Sequence, residues 1–316
     1  MPPTLHIRLL ARPWVLSRLS RAYSTAQKPL INVHDVQAPN TGRIRILSLA
    51  RPEARNAISK QLLYELRNNI DSIAGEYARD GSEVPVEDAE NKMGPTRALV
   101  IASEVDSCFC AGADLKERKG MTPDETEAFL TVLRSTFVAL SALPIPTISA
   151  ISSVALGGGL ELALSTHFRV MASTATVGLP ETRLGIIPGA GGTYRLPALI
   201  GMSRARDLIL TGRRVSAAEA YFLGIADRLV EVVPTEGEDN QTTMKRAGDE
   251  ALSAAVSLAG DICEGGPIAV RSALQAVGWA REEVENKMYE KVVGTEDRNE
   301  ALKAFSEKRK PVFTGR

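Results

Sequence analysis

The sequence predicts a mixed α/β body carrying a helical C-terminal region. Three observations predict it. Short β-branched runs alternate with amphipathic helical stretches from Ile31 to about Ile209, the pattern after Ser216 becomes helix upon helix, and no apolar run approaches the roughly 20 residues of a membrane span. With 316 residues, 44% hydrophobic and 24% charged, the chain is long enough for one large domain or two ordinary ones. A globular protein with no membrane partner is expected.

The first stretch is of a different kind. Residues 1–23 place Arg8, Arg12, Arg18 and Arg21 among apolar and hydroxyl residues, with no acid until Asp35. That basic, acid-poor pattern is expected of a mitochondrial transit peptide, although a disordered tail would share some of it. Arg21-Ala22-Tyr23-Ser24 looks like a matrix-protease site, so a mature matrix protein is expected to begin near Ser24. The formal charge is balanced at 38 basic and 38 acidic residues, and loss of the four arginines leaves a net charge near −4. A general nucleic-acid surface needs the opposite bias.

Strands are expected at Arg43 to Leu49, Arg97 to Ala102, Thr147 to Ser152 and Phe168 to Ala172, each apolar-rich and bounded by Gly, Pro, Ser or charged residues. Ser59 to Tyr77 reads as a helix with Leu62, Leu63, Leu66 and Ile70 on one face. Thr122 opens another, with Pro123 at its first position and Glu125 three residues after the cap. Ser216 with Glu219 reads as a further capping box. Helical patterns follow at Thr243 to Cys263, Pro267 to Val277, Glu282 to Val293 and Thr295 to Lys308, with β-type sequence limited to Leu229 to Val233. The expected division is a 1–23 leader, a 24–215 α/β core and a 216–316 helical region. Gly81 to Gly94 and Pro234 to Gln241 read as acidic surface loops.

Three stretches carry chemistry. In Val154-Ala155-Leu156-Gly157-Gly158-Gly159-Leu160-Glu161-Leu162-Ala163-Leu164, a carboxylate sits among apolar helical neighbours, and glycines before it offer backbone N–H groups at a helix start. The plainer alternative is a glycine-rich turn before a helix with one exposed Glu. In Leu179-Pro180-Glu181 through Ile187-Pro188-Gly189-Ala190-Gly191-Gly192, a second carboxylate follows twenty positions later in a Pro/Gly-shaped loop. Alone it could be a surface residue. Together the two could serve one water, one accepting its proton and the other supplying a proton to carbon. The third, Cys108-Phe109-Cys110-Ala111-Gly112-Ala113-Asp114-Leu115-Lys116-Glu117, links a strand to a helix and could aim a backbone amide into a site or be a simple turn.

Together these stretches resemble the crotonase, or enoyl-CoA hydratase/isomerase, superfamily. The likeness runs from Arg51-Pro52-Glu53-Ala54-Arg55-Asn56-Ala57 to Ala304-Phe305-Ser306-Glu307-Lys308-Arg309-Lys310-Pro311. It implies a crotonase spiral of ββα units with a helical C-terminal region that builds homotrimers, often paired into hexamers. It also implies a hydratase adding water across an enoyl-CoA thioester, with Glu161 and Glu181 catalytic. The thioester oxygen would be held by the amides of Ala113 and Gly158, and Gly189 would shape the water site. Coenzyme A, as part of the substrate, would lie along Ala54, Arg55, Ala111, Ala113, Asp114 and Leu115. Because both glutamates are present, hydration is expected rather than double-bond migration. Within the family the likeness is greatest to the branch acting on methylglutaconyl-CoA in leucine degradation. Lys116, Arg118 or Lys119 would then be the candidate cations for the distal carboxylate. A short-chain hydratase of fatty-acid β-oxidation is the alternative. Ser153 stands where the family usually has Gly, His167 where Asp is common, and Tyr194 where Gln is common.

Other classes fit less well. RNA binding through a lysine-rich first helix is not expected, because Ser59 to Asp80 sets Lys60, Arg67 and Arg79 against Glu65, Asp71, Glu76 and Asp80. His6, His34 and His167 offer no Ser/His/Asp triad. Cys108, Cys110 and Cys263 suit neither a disulfide framework nor a zinc site, and are expected to be reduced thiols without ligand duty. Neither nucleotide-loop pattern occurs, so neither ATP nor NAD is expected, and no other cofactor or metal is called for.

Overall fold

A computed structural model describes residues 28–78, 81–84 and 93–316. The expected leader at 1–23, with His6, and the middle of the first acidic loop lie outside the described residues. The strands are β1 (Ile31–Gln37) and β2 (Arg43–Leu49), followed by helix α1 (Lys60–Ala74). Next come β3 (Thr96–Ser103), β4 (Cys108–Cys110), α2 (Leu115–Lys119) and α3 (Pro123–Ser141). Then follow β5 (Thr147–Ile151), β6 (Val154–Leu156), α4 (Gly158–Leu164), β7 (Phe168–Ala172) and β8 (Thr176–Gly178). A 3₁₀ turn at Glu181–Leu184 leads to α5 (Gly192–Ile200), α6 (Met202–Thr211), β9 (Arg214–Ser216), α7 (Ala217–Leu223) and β10 (Arg228–Val230). Four helices close the chain: α8 (Asn240–Cys263), α9 (Pro267–Trp279), α10 (Glu282–Val293) and α11 (Glu296–Ser306).

Among the described residues two sheets result, in the orders β1-β2-β3-β5-β7-β10 and β4-β6-β8-β9. Both are parallel at their centres, and β1 and β9 join antiparallel. Each of the pairs β3/β4, β5/β6 and β7/β8 gives its first strand to the large sheet and its second to the small one. The chain therefore advances as a spiral of ββ units with helices between them. Parallel sheets are covered on both faces, which is why β3 and β5 read as continuous apolar runs. One face of the large sheet buries Leu47, Leu49, Leu99 and Ile101 with Leu62, Leu66 and Ile70 of α1 and Phe137 of α3. The other face packs Ile44, Ile46, Val100 and Ile148 against Ala255, Leu258 and Ala259 of α8.

The helix starts follow their caps. Ser59 Oγ accepts from the Leu62 amide, so α1 begins where expected, but it stops at Ala74. Thr122 and Glu125 form both bonds of the capping box before α3. At α7 only half of the expected box is present. Ser216 Oγ accepts from the Glu219 amide, while the Glu219 carboxylate pairs with Arg213 at 2.8 Å. The boundary expected at 215/216 falls inside the sheets, because β9 pairs with β8 and β10 adds a strand beside β7. Buried Arg169 helps fasten that last strand, donating to Ile225 O at 2.6 Å and pairing with Asp227 at 2.6 Å.

Candidate active site

The small sheet explains why three distant stretches meet. β4, β6 and β8 are parallel neighbours, so their carboxyl ends lie side by side. The residues leaving those ends are Ala111 to Asp114, Gly157 to Glu161 and Leu179 to Glu181. Side-chain-free backbone lets them close up. A Cβ on Gly159 would lie 2.1 Å from Cys110 O, and one on Gly112, whose φ is +99°, would lie 2.8 Å from Leu156 O. Only glycine accepts either position.

Glu161 is 2% exposed, in the first turn of α4. Its Oε1 accepts the amides of Ala190 and Gly192, each at 2.8 Å. Burial raises its pKa, while those amides and the charges of Arg195 and Arg134 oppose the rise. Glu181 opens the 3₁₀ turn, its Oε1 3.1 Å from where a Gly157 Cβ would be. Its Oε2 is buried with no hydrogen-bond partner among the described residues. Burial pushes its pKa up to about 7, with the Glu161 charge adding to the rise. Two carboxyls close enough to feel each other therefore differ in kind, one held by amides and one open to a proton donor.

Ala113 and Gly158 are also neighbours. A Cβ on Gly158 would lie 3.5 Å from the Ala113 nitrogen. Ile58 bonds on either side of Ala113, donating to Gly112 O at 2.8 Å and accepting from Asp114 N at 3.1 Å. This parallel bridge turns the Ala113 amide away from Ile58. Gly158 is the first residue of α4, where amides lack intrahelical acceptors. Two main-chain donors are thus available beside the carboxyl pair.

The remaining expected positions form a seam beside them. Ala54 ends a 3₁₀ turn, and Arg55 adopts φ +52°, its carbonyl accepting the Ala111 amide at 3.1 Å. Asp114 caps α2 through the amides of Lys116 and Glu117 and pairs with Arg51 at 2.8 Å. Burial raises its pKa, but the Glu117 amide and Arg51 outweigh that and hold it below the ordinary carboxylate value. Leu115 is 55% exposed. A cleft of about 590 Å³ lined by Lys28, Arg51, Glu53, Gln61, Asp114 and Glu117 borders this seam and touches neither Glu161 nor Glu181.

Asn56 escaped the sequence reading. It is fully buried at φ +55°, its amide donates to Ser103 Oγ and Phe109 O, and its Oδ1 accepts from Arg51 N. Consecutive left-handed residues are tolerated best by Asn or Gly, and that is the one signal the sequence offered. Arg134 was missed as well. The cations whose charges act on Glu161 are Arg195 and Arg134, whereas Lys116, Arg118 and Lys119 lie on α2. His167 Nδ1 accepts from Thr147 N at 3.1 Å, and burial lowers its pKa to about 4, so it is a neutral structural residue. Tyr194 is half exposed, with the Arg195 guanidinium 4.8 Å from its ring centre. Ser153 is buried and its hydroxyl has no partner among the described residues. The three cysteines are free and buried, and burial pushes Cys110 up to about 12 and Cys263 to about 11.

A family model described as enoyl-CoA hydratase/isomerase matches residues 86–316. The chain belongs to the enoyl-CoA hydratase/isomerase family. It is 58% identical to methylglutaconyl-CoA hydratase 1, mitochondrial, of Pyricularia oryzae, over 100% of both chains. It is 37% identical to the mitochondrial methylglutaconyl-CoA hydratase of Homo sapiens, over 93% of this chain and 81% of that one. Among solved structures, an enoyl-CoA hydratase from Bacillus anthracis superposes with a TM-score of 0.75 at 38% identity, covering 91% of this chain and all of that one. This family member is accordingly a hydro-lyase of the enoyl-CoA hydratase type, with the crotonase fold.

Proposed function

We propose that this enzyme hydrates methylglutaconyl-CoA in the mitochondrial matrix, using Glu161 and Glu181 as its acid/base pair. Convergence of the two buried carboxyls at the ends of β6 and β8, beside the amides of Ala113 and Gly158, is the observation that carries the chemistry. The acyl group is taken from what the relatives' names say of them, and the compartment from their being named mitochondrial together with the arginine-rich, acid-free first 23 residues.

The thioester oxygen lies against the Ala113 and Gly158 amides, which draw electron density from the double bond and stabilise enolate character. Coenzyme A runs along Ala54, Arg55, Ala111, Asp114 and Leu115. A water held between the carboxyls gives its proton to Glu161 as its oxygen bonds to the β-carbon. Glu181, whose pKa of about 7 leaves it largely protonated below neutrality, delivers a proton to the α-carbon. Gly189 belongs to the loop that fixes Glu161. The helices after residue 216 form the contact surface of a homotrimer, alone or paired into a hexamer. No cofactor takes part beyond the substrate's own coenzyme A.

Hydration kinetics on methylglutaconyl-CoA and crotonyl-CoA test the reading. The expected result is a higher kcat/KM for methylglutaconyl-CoA, and a loss of about 10²-fold or more in kcat for each of Glu161→Gln and Glu181→Gln. Folded variants that keep turnover would overturn the acid/base assignment. A clear preference for crotonyl-CoA would remove the acyl assignment and leave short-chain hydration.

A further inference from the structure

The peptide joining Gly189 to Ala190 is gripped from both sides. Its carbonyl accepts a hydrogen bond from Arg134 Nε at 2.7 Å, and its N–H donates to Glu161 Oε1 at 2.8 Å. Arg134 stands in the middle of α3, one turn after Leu130, whose Cδ2 lies 3.5 Å from where a Gly189 Cβ would be. Residues four apart share a helix face, so α3 meets this loop with one apolar and one cationic side chain. The guanidinium thus ends on a carbonyl whose own peptide unit contacts a buried carboxylate.

We infer that Arg134 is a positioning residue for Glu161, acting through the 189–190 peptide. The bond to Gly189 O fixes the plane of that peptide. It also polarises the amide, because a donor on the carbonyl strengthens the N–H as a donor in turn. This rests on Glu161 being the group that takes the water proton. Among the described residues, three charged side chains bear on that carboxyl. Arg134 reaches it from α3, and Arg195 from α5, donating to Ala190 O at 2.9 Å; both favour its ionised form. Glu181, from the 3₁₀ turn, opposes ionisation when itself charged. Removing Arg134 therefore raises the pKa of Glu161, and a base with a raised pKa is lost at higher pH.

The test is a comparison of Arg134→Gln and Arg134→Lys with the parent enzyme and Glu161→Gln, all as full chains. In Arg134→Gln, kcat is expected to fall about tenfold with little change in KM on either acyl-CoA. The acid limb of the kcat/KM profile should move up by about half a pH unit or more. Arg134→Lys keeps the charge and one donor and should recover most of that shift. An unmoved acid limb, or a rise in KM confined to methylglutaconyl-CoA, would overturn the inference, the latter meaning that Arg134 binds the acyl carboxylate. Full activity in Glu161→Gln would instead remove the catalytic reading itself.

Discussion

At the scale of single residues, the proposed acid/base pair is made unlike by its partners. Glu161 has two amides on one oxygen, whereas Glu181 keeps a buried oxygen without any partner among the described residues. A carboxyl that ionises near 4.5 in the unfolded chain and near 7 in the folded one binds more protons when folded between those values. Stability from this group is present below about pH 4.5, falls as pH rises, and is lost above about 7. Glu181→Gln should therefore raise the thermal midpoint by about 1–3 °C at pH 8 and change it little at pH 4, as scanning calorimetry can check. Equal midpoints at both values would contradict the raised pKa. In the parent enzyme kcat/KM should decline as pH passes about 7, where Glu181 loses the proton it is proposed to supply.

At the scale of elements, three strand ends and the glycines after them build the site. Gly159 allows α4 to begin against Cys110, so Gly159→Ala forces its Cβ into a backbone oxygen. A cost of about 3 kcal/mol or more is expected, visible as insoluble expression or an early denaturation midpoint. Thr122→Ala removes the cap of α3 and should cost about 1 kcal/mol in chemical denaturation. Helix α1 allows a different test. It carries Lys60 and Arg67 against Glu65 and Asp71, with Arg67 paired to Asp71 at 2.8 Å, so it offers phosphate no net positive charge. Filter binding at moderate salt should show little RNA affinity, and tight, salt-sensitive binding would contradict this.

Sequence pattern made the long elements legible and left the short ones hidden. β3, β5 and β7 showed as apolar runs, and the caps at Ser59 and Thr122 set two helix starts. β4, β6 and β8 have three residues each, too few for any periodicity, yet they bring the motifs together. β1 is an edge strand with most side chains outward, which removes the apolar signal. The glutamates stood out because acids are rare among such neighbours, so Glu161 was legible from its own helix. Arg134 was not, being one exposed arginine on a long helix whose purpose depends on a carbonyl 55 positions away.

For the whole molecule, the C-terminal helices leave much to be covered. α9 and α10 pack mainly against each other, and α10 buries only Met288 among its residues. Phe305 is 85% exposed and Val277 78%, and Trp279 and Tyr289 are also open. The chain end is secured within one protomer, since Asp297 accepts the amides of Thr314 and Gly315. Burying one such side chain contributes about 1.5–3 kcal/mol, and a threefold interface repeats that gain for every copy. Light scattering on the full chain at micromolar concentration should therefore give three or six times the protomer mass. Phe305→Glu places a charge in the proposed contact and should shift the population to smaller species, with far-ultraviolet circular dichroism unchanged. A monomeric parent chain, or a Phe305→Glu variant of unaltered mass, would show that these helices present their apolar side chains for some purpose other than self-association.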